Sequence, residues 1–359
     1  MHLAHLRLRD FRNYARLDMD FVPGFHVFLG NNAQGKTNLL EAVYLLATLR
    51  SFRGVGHAQL VREGQTGFFA GGTVVGQGTH EVKFYWSAAK KSLGLDGGPV
   101  RKFSEYYGLI QAVVFCTEDL QLIKSTARIR RRFLDLLLAQ THPGYLALLQ
   151  RYARAVRSRN ALLKQHLPDA TSLDGFTREL LAAGQPLIEH RRELIPRLSP
   201  LAREAYGRIA PGGEELRLEY QPSVKRDFAV ELAQSRNRER VMRSTLVGPH
   251  RDELELLLDN RSAGQFGSEG QKRTLAIALK MAQAEYLTGD RGSPPILLID
   301  DVMGELDARR RGGFLPLLER AQHAHGQVFM TCTEENWPRE LSRDLIRWEV
   351  KSGRVTAIS

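Results

Sequence analysis

The sequence predicts an α/β fold: a mixed sheet carrying a phosphate loop, an antiparallel β region beside it, and an all-helical lobe inserted between two halves. Three observations predict this. A short apolar segment at 25–29 runs into a Gly-rich loop and then a helix-period stretch at 36–49. A second apolar run, 296–299, ends in the acidic pair Asp300-Asp301. Between them, from about 118 to 240, the apolar spacing turns helical and the basic charge accumulates. The expected organisation is therefore 1–117 with 241–359 as one α/β domain and 118–240 as a basic helical insertion.

The elements follow in order. Residues 3–8 and 17–21 alternate apolar and polar, the period of a half-buried strand. Residues 25–29 form a short strand bounded by Gly24 and Gly30. In 36–49, Leu39, Leu40, Ala42, Val43, Leu46 and Ala47 fall on one helical face. Residues 65–100 are Gly-rich with β-prone pieces such as 81–86, and read as antiparallel hairpins; 112–115 reads as a buried strand. Helices are expected at 130–139 and 145–163, and Pro168, Pro186, Pro196, Pro200 and Pro211 are expected to break the remainder of the insertion into several short helices. After about 246 a strand at 254–258, a long helix at 269–287, a buried strand at 296–299, a helix at 309–321 and a buried strand at 327–330 complete the pattern.

Composition excludes several classes. The chain has 359 residues and is 43% hydrophobic, enough for packed cores of about two domains. It has no run of 18 apolar residues to cross a membrane, and its first ten residues are charged and alternating, so a cytoplasmic protein is expected. Two cysteines, Cys116 and Cys332, cannot build a disulfide framework. The formal charge of +11 is uneven: residues 121–245 carry 23 basic and 13 acidic side chains, and 20 of the basic ones are Arg. Arg offers a planar fork matched to phosphate oxygens. The clusters Arg128-Arg130-Arg131-Arg132 and Arg151-Arg154-Arg157-Arg159 lack nearby acids in sequence, which points to a polyanion, against the plainer reading of a solvated helical face.

Gly30-Asn31-Asn32-Ala33-Gln34-Gly35-Lys36-Thr37 fits the phosphate-loop pattern G-x-x-x-x-G-K-[ST] between a strand and a helix. Glycines let the backbone turn so that N–H groups converge on phosphate, and the helix N-terminus adds positive potential. These residues with Asn38 are the expected nucleotide site: Lys36 reaches the β- and γ-phosphates of ATP, and Thr37 binds Mg²⁺. Asp300, at the end of a strand buried on both faces, is the second expected Mg²⁺ residue, and Asp301 stands where a base polarising the attacking water is needed. The plainer alternative is a strand end followed by a helix cap.

Ser268-Glu269-Gly270-Gln271 opens the long helix one element before that strand. Ser268 is a good N-cap residue. The same residues also match the S-x-G-Q signature of ATP-binding-cassette ATPases, in which Ser268, Gly270 and Gln271 would touch the nucleotide held by a second copy of the chain. Gly304-Glu305-Leu306-Asp307 follows as a D-loop would, and Thr333 is the polar residue standing where transporter ATPases place a switch His. Lys36 and Asp300 lie 264 positions apart, between the short gap of transporter ATPases and the coiled-coil-filled gap of condensin-like proteins.

At this point the chain resembles the RecF family, bacterial DNA-repair ATPases of the SMC/ABC superfamily. The resemblance runs through Phe11-Arg12-Asn13-Tyr14, residues 31–41, Ser51-Phe52-Arg53, Glu118-Asp119-Leu120, Arg130-Arg131-Arg132-Phe133-Leu134-Asp135, Gly248-Pro249-His250-Arg251-Asp252, the Ser268 signature and Asp300-Asp301. Thr117, Ser125, Ala127, Glu253 and Met303-Gly304 depart from the family pattern. The resemblance implies an ABC-type ATPase head, ATP-dependent dimerisation, slow hydrolysis, binding of duplex and gapped or junction DNA, and partnership with RecO and RecR in loading RecA. Arg53, Arg130, Arg131 and Arg132 are the expected DNA contacts. Against this reading stand an ABC transporter subunit, a small-molecule P-loop kinase, and a static DNA-binding protein with a vestigial nucleotide site.

Overall fold

The computed structural model describes residues 1–167, 169–210, 212–333 and 345–358. The chain forms two compact units. The first comprises Met1–Leu120, Glu204–Gly213 and Arg273–Ser359, and the second Gln121–Arg203 and Glu214–Lys272.

The first unit is built on two six-stranded sheets. One is antiparallel: β1 (His2–Phe11), β2 (Tyr14–Asp20), β4 (Gly67–Val75), β5 (Thr79–Ser87), β6 (Lys91–Leu95) and β7 (Gly98–Pro99), in the order β2-β1-β4-β5-β6-β7. The other contains β3 (Gly24–Leu29), β8 (Ala112–Phe115), β12 (Ile296–Asp300), β13 (Gln327–Cys332), β14 (Leu345–Lys351) and β15 (Arg354–Ile358), in the order β15-β14-β3-β13-β12-β8. Its five strands from β14 to β8 are parallel, and β15 closes it antiparallel. Every residue of Ala112–Phe115 and of Gln327–Cys332 is buried, as two-sided coverage of a parallel sheet requires. The fold is thus a mixed α/β architecture, as the sequence predicts.

Helix α1 (Lys36–Thr48) touches β8, β12 and β13 of the parallel sheet and β1, β4 and β5 of the antiparallel one. Lying between two sheets, it is buried on nearly all sides, including Lys36, Glu41 and Thr48, rather than along a single stripe. Two further helices belong largely to this unit: α8 (Glu269–Arg291), whose first residues fall in the second unit, and α9 (Ala308–His323).

The second unit holds α2 (Gln121–Lys124), α3 (Ala127–Thr141), α4 (Tyr145–Leu163), most of α5 (Ala170–Ile209), α6 (Phe228–Met242) and α7 (Ala263–Phe266). It is not all-helical: β9 (Leu216–Gln221), β10 (Glu253–Leu258) and β11 (Arg261–Ser262) form a three-stranded antiparallel sheet. Pairing of β9 with β10 draws Glu214–Lys272 into this unit, so the border expected at 240 falls at Lys272 instead.

A second correction concerns proline. α5 is one 40-residue helix with Pro186, Pro196 and Pro200 inside it, while Pro168 and Pro211 lie outside the described residues. Each internal proline removes a backbone donor and costs about 3 kcal/mol in isolation. The helix instead follows its buried stripe, Leu180, Ala183, Leu187, Ile188, Leu194, Leu198, Ala202 and Ala205, whose packing outweighs local propensity. Among the described residues no helix is long and apolar enough to cross a membrane.

Candidate nucleotide site and basic residues

The phosphate loop leaves β3 and enters α1 through Gly35, whose φ of 117° is left-handed. A side chain there would drive a Cβ to 2.6 Å from the Asn13 amide, and at Gly30 (φ 152°) to 2.4 Å from the Val350 carbonyl oxygen. Glycine is therefore a steric requirement at both positions. The loop is braced on its outer side. Asn13 Nδ2 donates to the Gln34 carbonyl (2.9 Å), Tyr14 Oη to the Gly35 carbonyl (3.0 Å), and the backbone N–H groups of Ser352 and Gly353 to Gln34 Oε1 (2.7 Å) and its carbonyl (3.0 Å). Asn31, Asn32 and Ala33 are exposed at its tip.

Lys36 Nζ lies within the loop's curl and donates to the carbonyls of Gly30 (2.6 Å) and Asn31 (3.0 Å). Burial pulls its pKa below the usual lysine range, opposed by Asp301 and Asp300. Thr37 Oγ1 donates to Asp300 Oδ1 at 2.7 Å, joining residues 263 positions apart. Thr331 Oγ1 donates to the same oxygen at 2.8 Å and accepts the Asp301 N–H at 3.0 Å. Burial raises the Asp300 pKa above the ordinary carboxylate value, the two hydroxyls and the charge of Arg53 opposing it. Asp301 itself is exposed, with a left-handed φ of 55°. A hydroxyl and a carboxylate held together in a partly buried site form an all-oxygen donor pair suited to a hard divalent cation such as Mg²⁺.

Thr331 escaped the sequence reading, which favoured Thr333. Thr333 is exposed one residue beyond β13, whereas Thr331, within β13, is the hydroxyl that reaches Asp300 on the neighbouring acidic strand. No local sequence signal marks Thr331: what singles it out is the strand register, which sets it opposite Asp300. Cys332 is buried beside it, its thiol pushed up to about 12 mainly by burial.

Asn38 bridges the site to its surroundings. Its Nδ2 donates to Asn13 Oδ1 (2.8 Å), and its Oδ1 accepts Nη1 of Arg53 (3.3 Å). Arg53 is thus placed beside the nucleotide loop. Its loop is held by Ser51, whose hydroxyl accepts the Arg53 N–H (3.1 Å) and donates to the fully buried Glu41 carboxylate. Arg12 completes that cluster with a two-pronged contact to Glu41 (2.8 and 2.9 Å). Arg12, Asn13, Tyr14, Glu41 and Ser51 were visible only as family-like residues, not as site residues.

In the second unit Ser268 and Gly270 are exposed at the start of α8. Ser268 and Gln271 form a reciprocal cap: Ser268 N–H donates to Gln271 Oε1 (2.7 Å) and Gln271 N–H to Ser268 Oγ (3.2 Å). Gln271 Nε2 also donates to Glu214 (2.9 Å). The capping role is therefore realised, with the hydroxyl at the surface.

The arginine cluster at 128–132 requires correction. Acids absent nearby in sequence are supplied from elsewhere in the fold. Arg130 makes a two-pronged pair with Glu253 (2.7 and 2.8 Å) and also donates to the Ser125 carbonyl (2.8 Å). Arg131 Nη1 donates to the Asp252 carbonyl (2.6 Å), and Arg132 is half-buried and engaged as well. Arg151 pairs with Glu179, and buried Arg159 with Glu239 (2.5 Å). Arg130 and Arg131 are thus committed to internal structure, whereas Arg128, Arg151, Arg154 and Arg157 of those two clusters remain exposed, Arg151 in a surface pair with Glu179. The Gly248–Asp252 turn is likewise an anchor: buried Arg191 donates to the Pro249 carbonyl (2.6 Å) and to Asp252 (2.9 Å) and pairs with Asp135 (2.8 Å).

Comparison with known proteins shows the family. The family model described as RecF/RecN/SMC N terminal domain matches residues 2–354. The chain is 39% identical over 371 aligned positions to the DNA replication and repair protein RecF of Symbiobacterium thermophilum, covering 99% of this chain and 98% of that one. To the RecF protein of Halalkalibacterium halodurans it is 36% identical, covering 99% of each. A solved structure described as the recombination mediator protein RecF with ATP in the RecFOR pathway superposes with a TM-score of 0.90 at 29% identity, covering 99% of this chain and 97% of that one. An Smc head domain from Pyrococcus furiosus, at 14% identity and TM-score 0.58, shares the fold. With the phosphate loop, the acidic strand and the Ser268 signature each set in that fold, the chain belongs to the RecF family of DNA replication and repair proteins within the SMC/ABC superfamily.

Proposed function

We propose that the chain acts in recombinational DNA repair as a nucleotide-gated clamp: it binds ATP, dimerises around it, holds duplex or gapped and junction DNA, and hydrolyses ATP slowly to reset, with RecO and RecR as partners. The observation that carries the reading is the convergence of Lys36, Thr37 and Asp300 at one end of the parallel sheet. Names of related proteins support the pathway: RecF proteins of DNA replication and repair, and RecF–ATP in the RecFOR pathway.

The residues divide the work. Backbone N–H groups of residues 31–38 cradle the phosphates, and Lys36 exchanges its two carbonyl partners for phosphate oxygens. Thr37 and Asp300 would hold Mg²⁺, which when bound offsets charge on the phosphates. Asp301, exposed beside them, accepts the proton of the attacking water. Ser268 and Gly270 of a second copy cap the γ-phosphate, so that its loss loosens the pair. Switching such a dimer from 1:99 to 99:1 needs about 5.5 kcal/mol of differential binding, within reach of two sandwiched triphosphates with several charge-assisted bonds each.

Arg53 belongs in this proposal as a phosphate contact, because its neighbours are Asn38 and Asp300. DNA is held by arginines that remain exposed, with an affinity that falls steeply with salt, about 0.9 log units per phosphate contact per decade on duplex. The expected switch role of Thr333 is reassigned to Thr331, whose hydroxyl lies on Asp300.

Sedimentation with and without ATP, on wild type and Ser268→Arg, tests the composite site. Dimers are expected for the wild type with ATP alone. Dimers without nucleotide, or of the variant with it, refute it. A vestigial site would instead leave DNA affinity indifferent to Lys36→Ala.

A further inference from the structure

The antiparallel sheet of the first unit has one face packed on the core and one face open. On the inner side lie Leu6, Leu8, Phe68, Ala70, Val82 and Phe84, all buried. On the outer side the strand register lines up an uncommon row. Arg16 on β2 is directly opposite Arg9 on β1, Arg9 is opposite Phe69 on β4, and Phe69 is opposite Tyr85 on β5. Arg7, one row along, lies between Asp18 and Gly71.

The row sets two like charges directly opposite each other and leaves an aromatic ring partly open to solvent. Like charges placed directly opposite on neighbouring strands repel. Arg7 is offset by Asp18 (3.0 Å), but neither Arg9 nor Arg16 has an acid partner among the described residues. Tyr85 is also 38% exposed on an open sheet face. The rings lie down against the sheet: a Cβ on Gly71 would come within 2.7 Å of the Phe69 ring, and one on Gly67 within 3.2 Å of the Tyr85 hydroxyl. The result is a shallow cavity of about 450 Å³ lined by Arg7, Arg9, Arg16, Asp18, Phe69 and Tyr85.

We infer that this face binds a single-stranded nucleic-acid segment, with unpaired bases stacked on Phe69 and Tyr85 and phosphates on Arg9 and Arg16. The inference rests on the reading of the chain as a DNA-binding protein and assigns a surface to the unpaired strand of a gap or junction. Neighbouring strands are about 4.8 Å apart, so Arg9 lies one spacing from Phe69 and Arg16 three from Tyr85, a row whose span of about 14 Å suits a segment of two or three nucleotides. Aromatic platforms flanked by basic side chains are how unpaired bases are held without sequence preference. A duplex offers no open base face to such a floor, which favours the single strand.

Fluorescence anisotropy of the full chain with a labelled oligodeoxythymidine, and separately with a labelled blunt duplex, tests this. Tyr85→Ala is expected to weaken oligonucleotide binding about tenfold, with Tyr85→Phe restoring it and duplex binding nearly unchanged. The Arg9→Ala/Arg16→Ala double variant should lower the salt slope on the oligonucleotide by about 0.7 for every phosphate it no longer neutralises, and should melt no earlier than wild type because it removes a repulsion. Wild-type binding of both DNAs with unchanged oligonucleotide affinity in these variants overturns the surface alone. Equal weakening on duplex overturns the stacking. Wild-type protein that binds neither DNA refutes the DNA-binding reading itself, and this inference with it.

Discussion

Replacing Thr331 by valine tests the geometry of the acidic strand at the level of one oxygen atom. Valine keeps the shape and the strand propensity, so the change isolates the hydroxyl. In the structure that hydroxyl has two jobs: it donates to Asp300 Oδ1 (2.8 Å) and accepts the Asp301 N–H (3.0 Å), while being 1% exposed. Losing a hydrogen bond to a carboxylate costs about 1.5–3 kcal/mol, and an unpaired buried N–H adds about 1–3. The extra buried methyl returns about 0.8. The net expectation is about 2–5 kcal/mol of destabilisation in urea unfolding of the nucleotide-free protein. Pairing the variant with Asp300→Asn in a double-mutant cycle should show a coupling of at least about 1 kcal/mol, since the two groups touch. ATP turnover should fall as well, because Asp300 then keeps Thr37 as its one hydroxyl donor. An unfolding midpoint equal to wild type, with coupling below about 0.5 kcal/mol, refutes the arrangement.

Three further perturbations follow from the same region of the molecule. Asp300→Asn should stabilise the protein in metal-free buffer by about 1 kcal/mol while abolishing hydrolysis, because it removes a buried charge yet keeps an oxygen to accept both hydroxyls; urea midpoints against ATPase rates measure both. Since burial raises the folded-state pKa of Asp300, folding favours its protonated form; the benefit is present in acid and lost as pH rises through the folded value, and the Asn variant should lack that slope. Gly30→Ala should abolish ATP binding and cost at least about 2 kcal/mol, whereas Gly54→Ala, with φ 75° but open space, should cost about 1 and leave ATP binding intact; calorimetric titration and denaturation separate them. His26 is held neutral, donating through Nε2 to the Val22 carbonyl and accepting the Trp348 indole N–H, and burial lowers its pKa to about 4. Its roughly 3 kcal/mol contribution is complete above about pH 6.5 and lost as pH falls toward 4, so His26→Gln should flatten acid denaturation across that window.

How much of this was legible in the sequence depends on how local the signal is. The phosphate loop, α1, the acidic strand and α4 were legible because a turn pattern or an apolar period is complete within about 15 residues. The hairpins of 65–100 were legible in kind. Three things were not. α5 hid behind Pro186, Pro196 and Pro200, whose local penalty is overridden by a long buried stripe. β9 hid inside a helical segment, since its partner β10 arrives 37 positions later, at Glu253 after Leu216. The partners of Arg130, Arg159 and Arg191 hid for the same reason: Glu253, Glu239 and Asp252 are remote in sequence and adjacent in space. A cluster of arginines without nearby acids is therefore a weak argument for a polyanion until the fold is known. The exposed Arg9 and Arg16, less conspicuous in sequence, are the better case because the register sets them against each other.

The strand order explains why the site forms where it does. β3, β13 and β12 are consecutive in the parallel sheet, so three chain segments far apart in sequence end side by side. β3 delivers the phosphate loop and Thr37, β13 delivers Thr331, and β12 delivers Asp300; the register pairs Asp300 with Thr331 and Thr331 with Phe28. In a strand a slip of one residue reverses every side chain, and would turn Thr331 away from the carboxylate. That register is fixed by wholly apolar runs, Ile296 to Ile299 and Val328 to Met330, buried on both faces. The geometry of the candidate site and core packing are thus one constraint. A substitution such as Ile299→Ala, which touches no nucleotide, should lower ATP turnover along with stability, because the atoms that place Asp300 are the side chains that hold its strand in line.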